Sequence, residues 1–132
     1  MYKITGFILA FTVGFLGMEL YREKHKEPPQ VRVVSPETIQ MEVTAYCPCE
    51  KCCGRWADGF FADGSPVGGR AVAADTSIYP FGTTFDVPGY GVAVVKDRGG
   101  AIKGKNRLDL YFSTHQEALN WGRQTIEVTK ER

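Results

Sequence analysis

Surplus charge is the first thing missing from this sequence. Its 16 lysines and arginines stand against 15 acidic residues, a formal net charge of +1. The basic footprint that neutralises phosphates is therefore lacking, and nucleic acid is not an expected partner. Histidine is scarce as well, with two in the chain. His25 falls in a charged tether and His115 opens a short helical pattern, neither among the partners that a catalytic histidine needs. There is no internal repeat and no low-complexity segment. The glycines of DRGGAIKG, Gly99, Gly100 and Gly104, match neither a Walker loop nor a dinucleotide fingerprint, and no suitable helix follows, which removes nucleotide chemistry. Long apolar runs are missing too, with one exception near the N-terminus.

That exception is Ile4 to Met18, uncharged and mostly apolar within MYKITGFILAFTVGFLGMELYREKHKEPP. Its length lies between a signal-peptide core of about 7 to 15 residues and the about 20 that span a bilayer. No A-x-A-like cleavage site follows Met18, and Phe7, Ile8, Leu9, Phe11, Val13, Phe15 and Leu16 would cover every face of a helix. The reading is an uncleaved anchor over residues 1–21, a tether with Pro28 and Pro29 over residues 22–37, and one domain over residues 38–132. Lys3 and the terminal amine oppose Arg22, Lys24 and Lys26 across the segment. By charge alone that places the domain in the cytoplasm; the chemistry developed below places it on the extracytoplasmic side.

Fifteen glycines and seven prolines break the rest of the chain into short segments, which favours strands joined by turns. IQMEVTAY, RAVAAD, TTFDVP, GVAVVKD, RLDLYF and QTIEVTK are six strand candidates. STHQEALNWG between the last two predicts a short helix, capped by Ser113 with Gln116 three residues on, apolar at Ala118, Leu119 and Trp121, and ended by Gly122. The expected fold is mainly β, a six-stranded closed or nearly closed barrel with one short helix, since an open sheet would leave long edges unpaired.

Three aspartates occupy informative places. In RLDLYF, Leu108, Leu110 and Phe112 share one strand face, leaving Asp109 and, as a candidate substrate contact, Tyr111 on the other. Asp109 is thus a mid-strand carboxylate among apolar neighbours, where aspartate is disfavoured. Asp97 and Asp75 each end a strand pattern, where a turn-capping role competes with a functional one. If the three converge on one cleft, crowding raises at least one pKa. Gly99 and Gly100 suit close approach of a ligand to backbone, and Lys103 is a candidate substrate contact.

These same stretches resemble a known family. AVAADTSIYPFGT, YGVAVVKDRGGAIKGKNRLDLYF and EALNWGRQTIEV are similar to the three-aspartate (3D) domain of bacterial cell-wall enzymes, and in their final part to the membrane-bound lytic transglycosylases of the A type. The likeness runs from Thr44 to Val128; Arg98 stands where many relatives have threonine. It implies a double-psi β-barrel that cleaves the peptidoglycan glycan strand between N-acetylmuramic acid and N-acetylglucosamine, as a monomer and with no cofactor for catalysis. By position the family's aspartates fall on Asp75, Asp97 and Asp109, with Asp109 as acid/base. The alternative is a non-catalytic glycan-binding module of the same fold.

All four cysteines lie in TAYCPCEKCCG, as Cys47, Cys49, Cys52 and Cys53. Four thiolates suit a structural zinc, although C-x-C-x-x-C-C is not the usual pair of separated pairs. Disulfides are the rival outside the cytoplasm. A Cys52–Cys53 bond would be strained, which leaves Cys47–Cys53 with Cys49–Cys52, or Cys47–Cys52 with Cys49–Cys53. Reactive thiols, and with them a metal-dependent redox or hydrolytic centre, are a third reading. Tyr46 before the loop and Trp56 after it are candidates for sugar stacking or for core packing.

Overall fold

The computed structural model describes residues 35–131 and, before them, Gly17 and Tyr21. The chain divides into two units between residues 34 and 35. Apart from Gly17 and Tyr21, the anchor expected at residues 1–21 lies outside the described residues, as does most of the tether. Among those described, no helix is long and apolar enough to cross a membrane.

Six strands make up the second unit: β1 (Glu37–Tyr46), β2 (Ala71–Ala73), β3 (Thr84–Val87), β4 (Gly91–Asp97), β5 (Arg107–Tyr111) and β6 (Gln124–Lys130). They close in the order β1-β5-β2-β4-β3-β6. The β1–β5 and β2–β4 pairs are parallel and the others antiparallel. Closure leaves no free sheet edge, which is how so small an all-β unit avoids edge-to-edge association.

Alternation accounts for the interior. Met41 and Val43 of β1, Phe85 and Val87 of β3, Ala93 and Val95 of β4, and Leu108 and Leu110 of β5 point inward, joined by Val72 and Val128. Burial differs from expectation in β2, where all three residues are buried. The strand is shorter than RAVAAD because its register with β4 shifts between Val72 and Ala73, and the Ala74 N–H then bonds the Asp97 carbonyl at 3.2 Å. Asp75 consequently lies past the strand, in a turn.

Residues 35–131 hold two helices where one was expected. The first, α1 (Glu50–Cys53), is a single turn in the cysteine loop, followed by a 3-10 turn at Gly54–Trp56. The second, α2 (His115–Trp121), is the expected one with its cap moved by one residue. Thr114, not Ser113, is the N-cap: its Oγ1 accepts from the Glu117 N–H at 3.2 Å, and the Thr114 N–H donates to Glu117 Oε2 at 3.1 Å. The reciprocal pair satisfies two end donors, and the Glu117 carboxylate gathers a further bond from the Ser113 hydroxyl. Gly122 ends the helix as expected, with φ +67°. Ala118 and Trp121, three apart, turn inward, whereas Leu119 is 60% exposed, one step round the helix. Trp121 caps the barrel, its Nε1 donating to the Val43 carbonyl at 3.3 Å beside Tyr90 and Phe112.

Candidate active site

The parallel register of β1 and β5 sets Glu42 beside Arg107, Thr44 beside Asp109, and Tyr46 beside Tyr111. Residues two apart share a strand face, so the outer face of this pair is built in three layers. At one end the Arg107 guanidinium pairs with the Glu42 carboxylate, which also accepts from Arg123 at 2.5 Å. At the other end Tyr46 and Tyr111 meet edge-on with ring centroids 5.9 Å apart. Asp109 lies between ions and aromatics, where Thr44 Oγ1 donates to its Oδ1 at 2.9 Å. Burial pushes the Asp109 carboxyl above the usual carboxylate range; the Thr44 bond and the Arg107 and Arg123 charges pull it back, and the Asp97 charge adds to the rise.

Ala73 of β2 is in register with Asp97 on one side and Asp109 on the other. At about 4.8 Å per strand the two aspartate backbones stand roughly 10 Å apart. The methyl group between them leaves the space above it open. There the protein has a cleft of about 550 Å³, lined by both carboxylates, Ala73 and Tyr46 on the barrel side. Trp56 and Phe60 line it from the connection between β1 and β2, 68% and 56% exposed. Arg55 lies over the Trp56 ring at 4.9 Å.

Asp97 joins these two walls. Its Oδ2 accepts from the Tyr46 hydroxyl at 2.6 Å, while Oδ1 accepts from the Ala62 N–H at 3.1 Å and the Arg98 N–H at 2.9 Å. Burial first, and then the bond to Asp97, push the Tyr46 phenol up, so it stays protonated as the donor. Gly99 and Gly100 line the cleft next to Asp97. At Gly99 the space is tight, since a Cβ would come within 3.2 Å of Ile102 Cγ1.

Three residues expected at the site lie elsewhere. Asp75 caps its own turn, accepting from the Ser77 hydroxyl at 2.6 Å and the Ser77 N–H at 3.1 Å. Its other oxygen accepts from the Gly104 N–H at 2.9 Å, a donor aimed by a backbone at φ +86° that only glycine adopts without strain. Asp75 thereby holds the far end of the DRGGAIKG loop, with help from the Tyr79 hydroxyl on the Lys105 carbonyl at 2.8 Å. Lys103 is exposed and near Asp75, away from the cleft lining. Tyr111 shares Asp109's strand face as alternation requires. It is only 5% exposed, because Phe61 packs edge-on against it at 5.1 Å and forms a small second core with Ala71.

Other residues of the site carry little signal in the sequence. Thr44 is one more polar residue in an alternating strand. Phe60 and Phe61 read as a plain aromatic doublet, yet the bridge between Phe60 and Pro66 makes the segment extended, so one ring faces the cleft and the other the core.

None of the four cysteines is joined in a disulfide. Cys49 precedes α1 and Cys52 lies one helical turn on, which directs both to one side, where Cys47 also lies; the Cys47–Cys49 and Cys47–Cys52 Sγ separations are 2.8 and 3.4 Å. His115 completes the group, its Nδ1 at 3.5, 3.6 and 3.5 Å from the sulfurs of Cys47, Cys49 and Cys52. Cys53 falls outside it and donates to the Cys47 carbonyl at 3.2 Å.

Residues 70–130, which carry Asp75, Asp97 and Asp109, match the model of the 3D domain family. The chain carries a 3D domain. Among curated proteins, the 3D-domain chain is 36% identical over 93 residues to the cell wall shaping protein YabE of Bacillus subtilis (strain 168), covering 70% of this chain and 22% of that protein. It is 41% identical over 59 residues to the cell wall-binding protein YocH of the same organism, covering 45% and 20%. The chain thus spans about a fifth of the length of either. The crystal structure of MltA from E. coli is similar at 32% identity and a TM-score of 0.44, covering 54% of this chain and 26% of that one. The cysteines precede the matched stretch, whereas His115 falls within it.

Proposed function

We propose that this 3D domain cleaves peptidoglycan as a lytic transglycosylase, with Asp109 as its single acid/base. The observation that carries the reading is a half-buried carboxyl, raised in pKa, that opens onto a cleft with a second carboxylate and exposed aromatic rings. A glycosidase that uses water needs two working carboxyl groups. A transglycosylase takes the C6 hydroxyl of the muramic acid itself as nucleophile, so one group serves twice. Protonated Asp109 donates to the glycosidic oxygen as the C1–O bond breaks. Its carboxylate then accepts the C6 hydroxyl proton as O6 bonds to C1, giving the 1,6-anhydro ring and returning Asp109 to its starting form. Asp97, tied down by Tyr46 and two backbone N–H groups, is a fixed negative charge facing the positive charge that develops on the sugar. Trp56 and Phe60 offer faces on which sugar rings stack.

The double-psi form of the barrel belongs to this proposal, and so does action as a monomer. The direct test is digestion of purified sacculi with the products read by mass spectrometry: anhydromuropeptides are expected, and reducing-end muropeptides would instead mean hydrolysis. A second reading, glycan binding without cleavage, is favoured by the name of YocH as a cell wall-binding protein. Retention on sacculi with no new products would establish it.

Thr44 supplies a finer check. Its hydroxyl stabilises the ionised form of Asp109, so Thr44→Val is expected to raise the pKa of Asp109 further. A general acid works while protonated, and the pH above which product formation fails should move upward. An unmoved or lowered limb would remove Asp109 from the acid role.

We also propose that residues 1–21 anchor the protein in the membrane with the barrel on the extracytoplasmic side, where its substrate lies. Protease added to intact spheroplasts should degrade the barrel; a protected barrel would reverse the placement.

A further inference from the structure

We propose that Cys47, Cys49, Cys52 and His115 bind one zinc ion as a closed structural site that fastens the cysteine loop to the start of α2. Their four ligand atoms lie within 4.8 Å of one another. A tetrahedral zinc at about 2.3 Å from sulfur and about 2.0–2.1 Å from nitrogen sets sulfur and nitrogen about 3.5 Å apart and sulfur atoms about 3.8 Å apart. The three sulfur–nitrogen distances, 3.5, 3.6 and 3.5 Å, match that figure. The Cys47–Cys49 pair at 2.8 Å is closer than the tetrahedral edge, and a seated ion would spread it.

Ligand chemistry points to zinc, since three thiolates and an imidazole form a soft, four-coordinate set. Four protein ligands leave no open position for water or substrate, which makes the ion structural and keeps it out of the carboxylate chemistry. The local fold supplies an independent reason. The α1 turn is four residues long, buries none of them and has no side-chain cap; a helix so short does not hold itself. An ion bonded just before that turn, within it and to a residue of another element would hold it. The consequence reaches the cleft, because Cys52, Cys53 and Trp56 line its wall and Tyr46 directly precedes Cys47.

The assignment divides the cysteines differently from a four-thiol site, and this makes it testable without any substrate. The full-length protein, purified under reducing conditions, is expected to hold one zinc per chain. Cys53→Ser should keep that ion, and His115→Ala should weaken its retention by at least about 100-fold, since residues that merely orient a ligand already cost about 10–100-fold. With cobalt(II) as the probe, thiolate-to-metal charge-transfer absorption should correspond to three thiolates in the wild type and in Cys53→Ser. It should keep a tetrahedral pattern, now of four thiolates, in His115→Cys, which covers the case in which His115→Ala does not fold. Loss of metal from Cys53→Ser together with retention in His115→Ala would overturn the assignment in favour of four cysteines. A metal-free protein whose intact mass shows oxidised cysteine pairs would overturn it in favour of disulfides. Because metal content and absorption need no cell wall, these outcomes are separate from the failure of the proposed catalysis.

Discussion

Replacing Asp109 with asparagine should lower the release of anhydromuropeptides from sacculi by about 10²–10⁴-fold, the contribution typical of a positioned acid/base. Asparagine keeps the shape and the hydrogen bond to Thr44 but can neither donate the acidic proton nor take up the one from C6. Folding is read separately. In the wild type the unfolded chain ionises Asp109 in the ordinary aspartate range, while the folded protein holds the proton to higher pH. The unfolded state therefore binds fewer protons in that window, and this residue's contribution to stability falls as pH rises from the ordinary range through the raised value. Asp109→Asn removes that loss. Its melting temperature should equal or exceed the wild type's at neutral pH, with the gap closing toward acid. A variant that is less stable at neutral pH would show that the carboxylate has a structural role, and one that still makes the anhydro product would end its assignment as acid/base.

The second large effect concerns Phe85. Phe85→Ala should destabilise the barrel by about 3–5 kcal/mol, the usual cost of emptying an aromatic site in a close-packed interior. The ring is fully buried and meets Tyr79 edge-on at 5.0 Å. It sits on β3, the four-residue strand that joins β4 to β6 and so completes the circuit. A small domain has total stability of about 5–15 kcal/mol, so much of it would be lost. Urea unfolding followed by tryptophan fluorescence measures this. A loss below about 1 kcal/mol would mean that the core closes around the missing ring and that β3 is not a packing anchor.

The strands were legible because alternation is local: each inward residue of IQMEVTAY, TTFDVP, GVAVVKD and RLDLYF declares itself by its neighbours two away. Helix α2 was legible for a similar reason, although its cap slid from Ser113 to Thr114, since a hydroxyl residue at both positions leaves the choice to backbone geometry and to Glu117. Asp109 stood out as a carboxylate in a strand that should not welcome one. Asp97 and Asp75 looked alike, each at the end of a strand pattern. Only the fold separates them, aiming Asp97 into the cleft and Asp75 back at Gly104. Tyr111 alternated correctly and yet is covered, because which part of a face stays open depends on the loop carrying Phe61, distant in sequence.

By itself the sequence determined that residues near Asp109 form an alternating strand, that the turns fall at its glycines and prolines, and that the four thiols share one loop. These properties depend on neighbours along the chain. The tertiary structure alone decided which groups meet across it: Thr44 with Asp109, Tyr46 with Asp97, and His115 with three cysteines 63 to 68 positions away. Each such pairing rests on the register of two strands or the placement of two loops. No local pattern encodes that, because burying the barrel's interior constrains the inner face of each strand and leaves the outer face to be assembled by closure.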